Sequence, residues 1–222
     1  MLKNEIEKLT LLFEEHSNEE NAEPMKKYMK DHFPFLGIKS PLRKELEKTF
    51  FKETGILNGP FDKDLVTGLW EKEEREYHYT AITYIGKFAK KLPKDVVSFL
   101  ERLITTKSWW DSVDSIAPLV GELARKYPEV IKETIDIWAV DENIWLRRTA
   151  ILFQLKFKQQ TNEDLLYDYI VKNADSQEFF IQKAIGWALR EYSKTNPLSV
   201  KAFIEENKLA PLSIREGSKY LS

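Results

Sequence analysis

Apolar residues recur at helical spacing along most of the chain. Leu2, Ile6, Leu9, Leu12 and Phe13 fall on one side of a segment running to His16, with charged residues between them, which is the pattern of an amphipathic helix. Ser40-Pro41 reads as an N-cap with proline at the first helical position, opening a helix through about Thr54. Gly55, Asn58, Gly59 and Pro60 mark a loop. Alternating valine- and isoleucine-rich runs bounded by turn residues do not occur. The pattern predicts an all-α protein.

A longer period lies over the helical one. Helix openings at Pro93-Lys94-Asp95, Pro128-Glu129-Val130, Asn162-Glu163-Asp164 and Pro197-Leu198-Ser199 recur every 34 to 35 residues, three of them with proline at or near the first turn. Between them, longer helices are expected to begin near Glu74, Trp109, Ile144 and Phe179. Two helices per unit at this period predict an α-solenoid of HEAT-like repeats, an α-α superhelix with a concave face. The tetratricopeptide pattern of Trp, Leu-Gly and Tyr is missing. The expected organisation is a single domain over 1–222, with N-terminal helices over 1–60 and repeats of about 35 residues over 61–222.

Composition narrows the partners. The chain has 222 residues, 8 glycines, no cysteine, and 34 Lys+Arg against 36 Asp+Glu. A disordered chain, a disulfide scaffold and an overall polybasic binder are thereby excluded. No apolar run approaches the roughly 18 residues of a membrane span, and the start lacks a basic-then-apolar signal pattern; a cytoplasmic, membrane-free protein is expected. The formal net charge of −2 hides an asymmetry. First helices at about 108–127, 143–158 and 179–195 carry −1, +4 and +2, whereas second helices at about 128–142, 162–178 and 196–207 carry −4, −4 and −1. One layer is basic and suits phosphate, and the other is acidic. Salt bridging between the layers is the competing explanation.

Candidate chemistry sits on the basic layer. Trp110 and Asp114 are four residues apart on one helix. Shifted back by whole repeats, Arg148 falls at position 113 and Trp187 at 117, so the set forms an i, i+3, i+4, i+7 stripe. Lys183 is equivalent to Arg148, and Arg190 lies one turn beyond Trp187. A carboxylate between indoles suits stabilisation of a developing cation or activation of water; indole faces attract cations, and arginine suits phosphate. Spacing alone favours a plainer reading, in which the tryptophans are core and Asp114 ties to Arg148 as a ladder between repeats. An Asp111–Asp114 acid/base pair is disfavoured because Asp111 is expected to point away from the stripe. His16, His32 and His78 are scattered without metal-ligand spacing, and no P-loop, dinucleotide fingerprint or activated nucleophile is present. No cofactor and no metal are expected.

At these residues the sequence resembles the AlkD-type DNA alkylation repair glycosylases. The resembling stretches run from Met25 to Ile38, Ser108 to Ser115, Asn143 to Ala150 and Phe179 to Tyr192, with a further match from Leu209 to Ser213. They cover nearly the whole chain. The resemblance implies a HEAT-like solenoid that takes double-stranded DNA containing alkylated bases in its concave basic cleft. It further implies excision of N7- and N3-alkylated purines, such as 7-methylguanine and 3-methyladenine, without base flipping. On that pattern Asp114 matches the essential carboxylate, and Trp110 and Trp187 the pair on the lesion's deoxyribose and backbone. Arg148 matches a cleft residue at the DNA phosphates. Tyr28 matches a tyrosine near the damaged base pair, and Trp109, Lys39, Lys183 and Arg190 join the DNA-contacting set. Lys39 stands where relatives often carry glutamine. A monofunctional, monomeric enzyme is expected; the alternatives are a non-catalytic HEAT-repeat scaffold and a damage-sensing DNA-binding protein.

Overall fold

A computed structural model describes residues 2–221, with side chains from Asn4 onward. The described residues form thirteen α-helices, with short 3₁₀ or π-helical pieces in several of the connections, and no strand occurs among them. The chain divides into two compact units, Met1–Ala89 and Lys90–Ser222.

The first unit holds α1 (Leu2–Glu15), α2 (Glu19–Tyr28), α3 (Ser40–Thr54), α4 (Lys63–Glu71) and α5 (Arg75–Phe88). Its core includes Leu9, Phe13, Phe50, Leu69, Tyr77 and Ile85. The predicted start of α3 moves by one residue: Lys39 is the N-cap, extended and without a side-chain cap, while Ser40 and Pro41 already lie inside the first turn. Proline is accommodated there because first-turn amides have no intrahelical acceptor to lose. Gly55 closes α3 at φ 65°, a left-handed conformation that costs glycine little. Glu76 of α5 is fully buried. It accepts amide hydrogens from Leu36, Gly37 and Ile38 at 3.1, 2.9 and 3.1 Å, fastening the segment ahead of α3 to α5. Burial pushes this carboxyl above its ordinary range, and the amides partly offset the shift.

The second unit holds α6 (Val96–Thr105), α7 (Trp110–Lys126), α8 (Asp136–Trp138), α9 (Ile144–Leu152), α10 (Glu163–Val171), α11 (Phe179–Ser193), α12 (Pro197–Glu206) and α13 (Pro211–Gly217). The first helices α7, α9 and α11 begin at 110, 144 and 179, keeping the predicted period, and pack in series. Asparagines set several boundaries. Asn143, Asn162 and Asn196 each accept a hydrogen bond from an amide in the first turn of α9, α10 and α12. The second helix expected over 128–142 is present over residues 129–138, with a π-helical stretch, Ile131–Ile135, at its centre leading into α8.

The repeat period is physically present as hydrogen bonds between equivalent places. Lys126 Nζ donates to the Leu92 carbonyl at 3.0 Å, Arg125 Nη2 to Gln160 Oε1 at 2.7 Å, and Asn173 Nδ2 to the Ala139 carbonyl at 2.8 Å. Each joins residues 34 or 35 positions apart. Beneath them Ile151, Leu166, Ile170, Ile185, Leu189 and Val200 form a continuous core, as stacked repeats require.

The last helix, α13, docks against α11. A Cβ placed on Gly186 would lie 2.5 Å from Glu216 Cβ and 3.1 Å from the Ser213 carbonyl oxygen. Glycine at this position is therefore a packing requirement, and it brings Glu216 onto the flank of α11.

Candidate active site

Asp114 lies one turn into α7, four residues after Trp110 at the helix start, so the two occupy the same side of the helix. Pro118 stands four residues further on and has no amide to donate, so the Asp114 carbonyl lacks its ordinary helical partner. The Asp114 carboxylate is only 14% exposed. Arg148, from the middle of α9, reaches it with both arms of the guanidinium: Nε to Oδ1 at 2.7 Å and Nη2 to Oδ2 at 2.8 Å. The remaining arm donates to the Phe180 carbonyl at the start of α11. One arginine therefore links three successive first helices.

Electrostatics at the pair are dominated by desolvation. Burial pushes the Asp114 carboxyl above the usual carboxylate range. Arg148 pulls it back through hydrogen bonding and charge, and Asp111 adds a smaller upward push. Asp111 is itself buried, and its charge reaches Asp114 although helical spacing directs its side chain away from the Trp110–Asp114 side.

An aromatic cluster adjoins the pair. Trp109 packs against Trp145 at 5.7 Å and edge-on to Phe180 at 5.0 Å, and Trp145 lies 5.1 Å from Phe180. The Arg148 guanidinium sits 5.8 Å from the Phe180 ring. Trp145 and Phe180 are absent from the sequence-derived set. Their signal was available, since positions 110, 145 and 180 place an aromatic residue at the same point of three repeats. Trp187, midway along α11, is partly buried and packs against the hydrophobic core of the repeats.

The expected cationic stripe is largely committed within the protein. Arg148 is 4% exposed and engaged by Asp114 and Phe180. Lys183 and Arg190 converge on Glu216, at 3.1 and 2.8 Å, and Lys219 joins them at 2.7 Å. The Glu216 carboxylate is well shielded from solvent. Hydrogen bonds from Lys219 and Lys183 hold its carboxyl down at about 2. Glu216 belongs to α13, which the layer-by-layer charge count did not include. The ion pairs run along layers: Arg148–Asp114 and the Glu216 cluster join first helices and α13, and Lys94 binds Glu129 and Glu133.

Tyr28 and Lys39 lie in the first unit. Tyr28 closes α2 and Lys39 caps α3, and both are exposed. Among the described residues no group of three or more His, Asp or Glu could hold a metal ion, and no helix is long and apolar enough to cross a membrane.

No curated protein matches the chain. A solved structure described as a predicted DNA alkylation repair enzyme from Enterococcus faecalis superposes with a TM-score of 0.86 at 40% identity. The match covers 93% of this chain and 97% of that one. AlkD2 from Streptococcus mutans has the same fold, with a TM-score of 0.62 at 20% identity over 81% of this chain and 97% of that one. The family model for DNA alkylation repair enzymes matches residues 9–221. With an all-helical repeat fold and near-complete coverage, the chain belongs to the DNA alkylation repair enzyme family.

Proposed function

We propose that this chain is a monofunctional DNA glycosylase that hydrolyses the N-glycosidic bond of cationic N7- and N3-alkylated purines in duplex DNA. The observation that carries the reading is Asp114: a carboxylate largely removed from water, held bidentately by Arg148 and preceded by Trp110 on the same helix side.

The chemistry asks little else of the protein. A purine alkylated at N7 or N3 already carries a positive charge. When the C1′–N9 bond breaks, its electron pair passes to the base, which leaves neutral, and the positive charge develops on the sugar. Asp114 faces that charge as an anion in a low-dielectric setting, where it is worth more than in water. It also accepts a proton from the water that adds to C1′. No acid is needed to protonate the base, so the base need not enter a deep pocket as in base-flipping enzymes. Trp110 and Trp187 supply apolar walls for the deoxyribose and its backbone. Arg148 acts as a positioning residue that fixes the carboxylate and holds it ionised. Tyr28, Lys39, Trp109, Lys183 and Arg190 are assigned to DNA contacts, the last two through whatever charge their shared Glu216 leaves uncompensated.

A second reading has its own support. The Asp114–Arg148 pair spans 34 residues and also serves as a tie between repeats, as a non-catalytic scaffold or damage reader would need. Incubation with methylated duplex DNA, followed by assay of free bases and heat-labile abasic sites, separates the readings. Base release supports the glycosylase, binding without release the damage reader, and neither outcome the scaffold.

A further inference from the structure

A cavity of about 660 Å³ in the first unit lies between α3, the Leu57–Asn58 turn and α5. Its volume falls in the range of small-molecule sites. Four lysines surround it: Lys44, Lys48 and Lys52 from α3, and Lys87 from α5. The three on α3 recur every four residues, so they line one side of the helix over about 12 Å. None of these four ammonium groups has an ion-pair partner among the described residues. Elsewhere in the chain Arg148, Lys183, Arg190 and Lys219 are each held by a carboxylate.

The acidic residue at this cavity does not neutralise the lysines. Glu47 is 2% exposed, and its carboxylate accepts from Arg43 Nε at 3.1 Å and from the Thr80 hydroxyl at 3.0 Å. The apolar residues Phe51 and Leu57 also line the cavity, together with Asn58 and Thr83. Four uncompensated cations exceed what a single carboxylate ligand would need and match a phosphate group or chain. A lining that combines apolar side chains with a side-chain amide suits a planar ring with hydrogen-bonding edges.

We infer that the cavity between α3 and α5 is a binding site for a nucleoside 5′-phosphate, either a free nucleotide or the phosphorylated end of a DNA strand. The inference is independent of the chemistry at Asp114, because no residue of that site lines the cavity.

The test is titration of the full chain with ATP, and with a short single-stranded oligonucleotide bearing either a 5′-phosphate or a 5′-hydroxyl. The variant K44A/K48A/K52A/K87A is compared with K8A/K26A/K132A/K208A, which removes the same charge elsewhere, after both show wild-type helical content and cooperative melting. The expected result is saturable binding, one ligand per chain, weakened at least about tenfold in the cavity variant and retained in the control. ATP binding assigns the site to free nucleotides. Binding only of the 5′-phosphorylated strand assigns it to strand ends. Absence of binding, equal loss in both variants, or equal affinity for the 5′-hydroxyl strand overturns the inference.

Discussion

Replacing Arg148 by methionine keeps much of the side-chain volume but removes a guanidinium that engages Asp114 twice and the Phe180 carbonyl once. The pair is only 5% and 14% exposed, so solvent screens it little. Leaving a buried carboxylate without its partner costs about 3–5 kcal/mol. For a chain of this size each kcal/mol lowers Tm by about 2–4 °C, giving an expected fall of roughly 6–20 °C. Urea unfolding followed by tryptophan fluorescence suits the measurement, because five of the six tryptophans lie in the second unit. The double variant D114N/R148M should lose less than the sum of the single losses, with a coupling of at least about 1.5 kcal/mol. The sign of the pH dependence is also fixed. Without Arg148 the folded-state pKa of Asp114 rises further above its unfolded value, so the destabilisation is full only above that raised pKa. It is relieved as pH falls through that raised pKa, when the carboxyl protonates. A cost for R148M below about 1 kcal/mol, with additive single losses, is the signature of an exposed ion pair and would refute the reasoning.

Three further expectations follow from the same geometry. Gly186→Ala places a Cβ against Glu216 and Ser213 and should destabilise by about 1–3 kcal/mol in thermal melts; an unchanged Tm would show that α13 can shift freely. Glu216 is held at about 2 against 4.5, so its contribution to stability is present above 4.5 and lost as pH falls towards 2. Glu216→Gln should flatten that part of the stability curve, and an unaltered acid profile would contradict the cluster. Burial places the Asp114 pKa above the ordinary carboxylate range, so base release should fall on acidification while the fold persists. R148M should move that limb to higher pH, and a limb that stays in place would remove Arg148 from its positioning role.

How far the sequence carries depends on the length of the signal. The period of 34 to 35 residues is sustained over four units, so noise at any one boundary averages out, and α7, α9 and α11 begin where it places them. The same arithmetic set Arg148 beside Asp114, which is where the ion pair forms. It could not say whether the arginine faced phosphate or the neighbouring carboxylate, because spacing fixes a helix side but not the end of a long side chain. Glu216 was invisible for a different reason. It lies on a seven-residue helix outside the repeat, too short to show periodicity, and it reaches Lys183 and Arg190 only through close packing at Gly186. The start of α3 shifted by one residue because either of the first helical positions accepts proline.

The role of the Asp114 carboxylate is tested by release of 7-methylguanine from methylated duplex DNA by the Asp114→Asn variant, at a temperature where circular dichroism shows it folded. Rapid release by the wild-type chain is expected, with no detectable release by the variant and DNA association within about threefold of wild type, because the substitution removes the anion that the chemistry needs while the folded variant keeps the rest of the DNA-contacting set. Release by the folded variant at the wild-type rate would contradict that role.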